Sequence, residues 1–177
     1  MDDDLEERYD EKRPTSENYI GEQISNSGTT LHEYLTEQFN LKEISEKQYL
    51  IGIELIGNID DSGYMRRDMT SLSNDLAFNN GIDADEKEIE DVLNIIKTLD
   101  PIGVGARNLQ ECLLIQLHNI ANSNPYKKWG IKIIENNFDT FTKNNHNKLI
   151  QKLNISESDL SNTLKLITRL NPKPGSS

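Results

Sequence analysis

The chain has 177 residues, 34% of them hydrophobic, and a formal net charge of −11. That length fits one domain or two small helical ones, and the acidic balance argues against nonspecific affinity for nucleic acid or anionic membrane, which rests on neutralising phosphate with Lys and Arg. No apolar run approaches the roughly 20 residues of a membrane span, the start is acidic where a signal peptide is basic, and the lone Cys112 excludes a disulfide framework and fits a reducing cytosol.

The charge is uneven. Residues 1–24 hold nine acids and three bases, a net of −6 that leaves −5 for the rest. A solvated, flexible acidic head over residues 1–27 is expected. Thr30 and Glu33 then have capping-box spacing, and Leu31, Tyr34, Leu35 and Phe39 share a helical face to about Asn40. Ser45 and Gln48 form a second capping box, with Ile44 and Tyr49 as a hydrophobic staple, and open a helix carrying Leu50, Ile53 and Ile56. Gly52 and Gly57 inside it imply a closely packed neighbour, since each costs about 1 kcal/mol relative to Ala.

Thr70 is expected to cap a short helix through Leu72, Leu76 and Ala77 that ends at Asn79-Asn80-Gly81. Asp85 with Glu88 opens the next, whose Ile89, Val92, Leu93, Ile96 and Leu99 keep helical spacing throughout. Pro101 ends it, because a proline lacks an amide hydrogen and pushes the residue before it out of the α region. Gly103 and Gly105 then permit a tight turn, with a positive φ or close packing expected at Gly105. Asn108 and Glu111 read as a cap and capping box before a stripe of Leu109, Cys112, Leu113, Leu117 and Ile120.

Pro125 suits the first position of a further helix carrying Ile131, Ile134, Phe138 and Phe141. Thr142 to Asn147 reads as a loop, Leu149, Ile150 and Leu153 as a short helix, and Ser156 with Asp159 as the cap of the last helix, through Leu170. Asn171-Pro172-Lys173-Pro174-Gly175 then reads as the start of an extended linker over residues 172–177. No segment alternates with period two over strand length. The expected fold is all-α, in two small bundles joined near Pro101 to Pro125. The N-terminal subdomain, residues 28–121, has about four helices, and the C-terminal one, residues 122–171, three to four.

Several chemistries fail on spacing. Gly103-Val104-Gly105 follows a helix where a dinucleotide loop needs a strand and a third glycine, and the Lys of a Walker loop is missing. Asp60-Asp61-Ser62-Gly63 has no Glu at the twelfth position of a calcium loop, where Ser71 stands, so it reads as a turn with Gly63 left-handed. His32, His118 and His146 are scattered, so no metal is expected, and no nucleophile has a base beside it. A helix-turn-helix from Leu76 to the helix of Glu86 would present Asp85, Glu86, Glu88, Glu90 and Asp91 to phosphate. Neither cofactor nor enzymatic activity is expected. The candidate hinge or partner-binding residues are Asp100, Pro101, Gly103, Gly105, Arg107 and Asn108, with Arg107 open between satisfying loop carbonyls or Asp100 and touching a partner.

The run from Leu99 to Leu113, with Asp100, Pro101, Gly103, Val104, Gly105, Ala106 and Arg107, resembles the signature of the sigma-54 family of bacterial transcription factors. Ile59-Asp60-Asp61-Ser62-Gly63-Tyr64-Met65 and Leu170-Asn171-Pro172-Lys173-Pro174-Gly175 are similar to two further family segments, in the same order. Ile102 stands where the family often has a second proline. The resemblance covers about residues 28–175 and implies a cytoplasmic, non-enzymatic core-binding domain that contacts the β flap and β′ coiled coil of core RNA polymerase. It also implies that promoter DNA and the activator ATPase are met through regions not visible in this chain. A helical DNA-binding regulator is the alternative, and it requires a basic face.

Overall fold

The computed structural model describes residues 29–176. The expected acidic head, residues 1–27, lies outside the described residues. Helices run over Leu31–Phe39 (α1), Glu46–Gly57 (α2), Met69–Asn80 (α3), Glu86–Ile96 (α4), Leu109–His118 (α5), Lys127–Asn136 (α6), Phe138–Thr142 (α7), His146–Leu153 (α8) and Glu157–Thr168 (α9), followed by a 3-10 turn over Pro174–Ser176. Among the described residues the sole β-type pairing is an antiparallel bridge between Ile59 and Met65.

Local sequence chemistry starts most helices. Thr30, Ser45 and Asp85 each accept from the amide three residues on while the Glu or Gln there returns to the cap amide, so both orphan donors are satisfied. Ser156 caps α9 through the Asp159 amide. The first bundle, α1 to α4, closes around Leu35, Phe39, Ile51, Leu55, Leu72, Leu76, Ile89, Leu93 and Ile96. The second, α5 to α9, closes around Leu113, Leu117, Ile133, Ile134, Leu149, Leu160 and Ile167.

Several expectations need correcting. The two cores divide between Val104 and Leu113, within the expected join from Pro101 to Pro125, and α5 packs with the second bundle although residues 28–121 were expected to form the first. Gly130 allows this: a Cβ there would sit 3.1 Å from Leu117 Cδ2, so α5 and α6 meet at close range. In α2 the buried set is Ile51, Gly52, Leu55 and Ile56, while Leu50 is exposed and Ile53 half-buried. That helix is apolar around much of its girth, so period alone does not choose its inner face. Gly52 is closely packed, with a Cβ there overlapping the Phe39 ring, whereas nothing approaches Gly57 within 4 Å.

Asp68, not Thr70, caps α3, accepting from the Ser71 amide at 2.7 Å. Pro125 precedes α6 in a turn where Asn124 Oδ1 accepts from the Tyr126 amide. The stretch carrying Ile131, Ile134, Phe138 and Phe141, expected as one helix, breaks at Asn137, whose backbone leaves the helical region. Residues 171–176 fold back onto the first bundle instead of running out extended, with Pro174 buried.

Candidate functional site

The three segments that resemble family motifs are far apart in the chain and meet at one joint between the bundles. The turn from Ile59 to Met65 is its base. Asp60 Oδ1 accepts from the amides of Ser62 and Tyr64 at 2.9 Å each, and Gly63 takes φ 94°. Burial pushes the Asp60 carboxyl up, but the Tyr64 amide, the Arg66 guanidinium and the Ser62 amide outweigh it and hold the group below its ordinary range.

The hinge seals against this turn by backbone. Gly105 N donates to Gly63 O at 2.8 Å, and Met65 N donates to Ala106 O at 2.9 Å. Residues 103–106 are all buried. Gly105 has φ 82°, and a Cβ there would lie 3.3 Å from Lys97 Cγ, so positive φ and close packing both hold it to glycine. The Asp100–Pro101 peptide is cis. Asp100 is gripped by its backbone, with its amide donating to Gln38 Oε1 at 2.8 Å and its carbonyl accepting from Gln38 Nε2 at 2.7 Å.

The third segment straps the joint from outside. Gly175 N donates to Ser62 O at 3.0 Å, and a Cβ on Gly175 would sit 2.5 Å from Asp61 O. Gln116 on α5 pairs both ways with the Asn171 backbone, donating to its carbonyl and accepting from its amide at 2.7 Å each. Tyr64 is the centre. Its ring is buried with Ala106 and Cys112, the Arg66 guanidinium lies 4.7 Å from the ring centroid, and its hydroxyl donates to the Pro172 carbonyl. Burial, with the Cys112 thiol beside it, pushes the Tyr64 hydroxyl up to about 12, and burial likewise raises Cys112.

Charges close the remaining side. One carboxylate oxygen of Glu111 pairs with the Lys97 ammonium across the two bundles, and the other accepts from the Arg107 amide at 2.9 Å. The expected capping box at Asn108 is therefore half formed: Asn108 accepts from the Glu111 amide, but Glu111 reaches past it. Arg107 Nη1 donates to the Arg67 carbonyl at 2.6 Å and makes no pair with Asp100. Of the six residues singled out in the sequence, Gly103 and Gly105 are buried structural parts, Pro101 and Arg107 are half-buried, and Asp100 and Asn108 are exposed. Beside Asn108 an open groove of about 280 Å³ is lined by Ser62, Tyr64, Arg66, Leu109, Pro172 and Lys173. His32 Nε2 bonds the Ile59 carbonyl, and no group of three or more His, Cys, Asp or Glu side chains among the described residues could hold a metal.

Residues 21–177 match the model of the sigma-54 factor core binding domain. The chain belongs to the sigma-54 core-binding family. It is 31% identical over 152 residues to the RNA polymerase sigma-54 factor of Pseudomonas aeruginosa (strain UCBPP-PA14), covering 86% of this chain and 30% of that protein. It is 32% identical over 159 residues to the sigma-54 factor of Azorhizobium caulinodans, covering 90% of this chain and 29% of that one. The sigma-54 factor of Shewanella violacea is 34% identical over 145 residues, 82% of this chain and 29% of its own. The chain thus spans about 30% of the length of the curated relatives it matches.

Gln38 and Gln116 are joint residues of this sigma-54 core-binding chain that no sequence motif marks, while Tyr64 and Glu111 stand out in the sequence only as a motif member and a capping residue. No local pattern links them to their partners, which lie 62 residues off for Gln38, 55 for Gln116 and 108 for Tyr64.

Proposed function

We propose that this chain is the domain by which a sigma-54-type factor docks on core RNA polymerase, as a rigid binding module rather than a catalyst. The observation that carries this reading is the match of residues 21–177 to the core binding domain. The joint supports it. Two helical cores fused by backbone hydrogen bonds present a fixed surface, so less order has to be imposed on binding. Ile102 in the hinge and Leu109, which lines the open groove, are each 39% exposed and offer apolar contact area on a rigid frame.

The finer assignment, to the β flap and β′ coiled coil, is part of the proposal, as are promoter and activator contacts made by other regions of a longer factor. Titrating the chain into labelled core polymerase tests the reading. Binding at micromolar concentration or tighter is expected, and no binding by a chain whose circular dichroism shows it folded would overturn it. Arg107→Ala sharpens it. The contact to Arg67 O makes Arg107 a local tie, so a small loss of stability with unchanged affinity is expected.

A further inference from the structure

The net charge hides a division between the two bundles. From Thr29 to Val104 there are sixteen acids and six bases, a net of −10, whereas from Gly105 to Ser177 there are ten bases and five acids, a net of +5. The basic residues of the second bundle are also patterned. Lys128 and Lys132 on α6, Lys148 and Lys152 on α8, and Lys165 on α9 with Arg169 at its C-cap are each four apart, so each pair forms a stripe about 6 Å long on one helix face. All six are exposed, and among the described residues no ion pair engages them, Lys132 lying over the Trp129 ring. Lys152 and Lys165 stand in the last turns of α8 and α9, where a cation complements the helix dipole, but a second like charge four residues away opposes that gain in each pair.

A second observation concerns the backbone. The segment from His146 to Thr168 is helix, three-residue turn and helix. Asn154 takes the left-handed conformation at φ 51°, Ile155 is buried, Ser156 caps α9, and Leu149, Leu160 and Thr163 point into the core. Helix-turn-helix units have this turn length, with a residue of glycine-like conformation opening the turn. Glu157 and Asp159 occupy the first turn of α9, which keeps that end from reading bases. What remains is lysine-dominated charge, suited to phosphate oxygens as point contacts without sequence readout.

We propose that the second bundle carries a sequence-independent contact to the phosphate backbone of duplex DNA, made by the Lys148/Lys152 and Lys165/Arg169 stripes. The acidic first bundle repels the same polyanion, so the contact has one orientation, with the second bundle inward. This goes beyond polymerase docking and does not depend on it.

The test is fluorescence anisotropy of the whole chain with a labelled mixed-sequence duplex at low salt, for the natural protein and for Lys148→Glu/Lys152→Glu/Lys165→Glu/Arg169→Glu. A milder Gln set at the same positions guards against misfolding, and Lys42→Glu/Lys87→Glu on the first bundle is the control. Expected are measurable binding by the natural chain, a loss of tenfold or more in the Glu set, a smaller loss in the Gln set, and less than threefold in the control. The log–log salt slope should shrink by about 0.9 per phosphate contact removed. No binding by the natural chain, or equal losses in the Glu set and the control, overturns the proposal. So does a Glu set that keeps DNA binding but loses core polymerase, since the stripes would then face an acidic protein surface. Failure of the natural chain to bind polymerase overturns the docking reading alone.

Discussion

The two bundles are stabilised in different ways. In the first, three of the four helices open on complete capping boxes, and the core is a dense set of side chains with almost no exposure. In the second, α6 and α7 begin without a side-chain cap. Longer polar ties hold their neighbourhood instead. Lys127 Nζ donates to the carbonyls of His118 and Ile120 and to Asn122 Oδ1, Gln110 donates to the Ile134 carbonyl, and Asn162 donates to the Tyr126 hydroxyl. The first bundle is written in short-range signals, the second in contacts between helices, and opposite net charges follow the same division. The joint makes the two one body.

The largest expected effects come from the cores. Phe39→Ala and Ile133→Ala remove fully buried side chains, one from each bundle, and should cost about 3–5 and about 2–5 kcal/mol. Because the joint couples the bundles, each variant should lower a single thermal transition. Two transitions, each moved by one variant only, would break the coupling.

Gly105→Val attacks the joint itself. Placing a β-branched residue at φ 82° with Lys97 Cγ in the way should cost about 2–3 kcal/mol, read as a lowered midpoint in urea. An unchanged midpoint would show that the hinge carries no load.

Tyr64→Phe is gentler and should cost about 1 kcal/mol, by removing the hydrogen bond to the Pro172 carbonyl. It also has a pH signature. The folded hydroxyl titrates at about 12 against an ordinary 10, so the neutral form is favoured by the fold. Its contribution is fully present below pH 10 and is lost as pH rises through 12. Tyr64→Phe should flatten the stability profile over that window, and an identical profile would contradict the assignment. Smallest is Lys47→Ala, which breaks an exposed pair with Glu88 between α2 and α4 and should leave the melting temperature unchanged.

Much of the fold was legible in the sequence because it is local. Thr30, Ser45, Asp85, Asn108 and Ser156 all cap the helices they were expected to cap. Thr70 was mistaken for a cap because Asp68, two residues earlier, is an equally good acceptor, and only the backbone shows which one turns inward. The inner face of α2 was not legible because apolar residues surround it. The joint was legible only as parts. Pro101 and the glycines mark a tight turn, but nothing local says that Gly105 binds Gly63 or that Gly175 binds Ser62. Charge reads differently as a sum and in parts: the total of −11 conceals a second bundle that alone is positive.

The most direct test of the account is amide hydrogen exchange at Gly105, Met65 and Gly175, the donors that tie hinge, turn and strap together. Protection comparable to that of Leu93 and Ile133 in the two cores is expected. Exchange of these three amides at free-chain rates, with both cores still protected, would contradict it and leave two separate bundles.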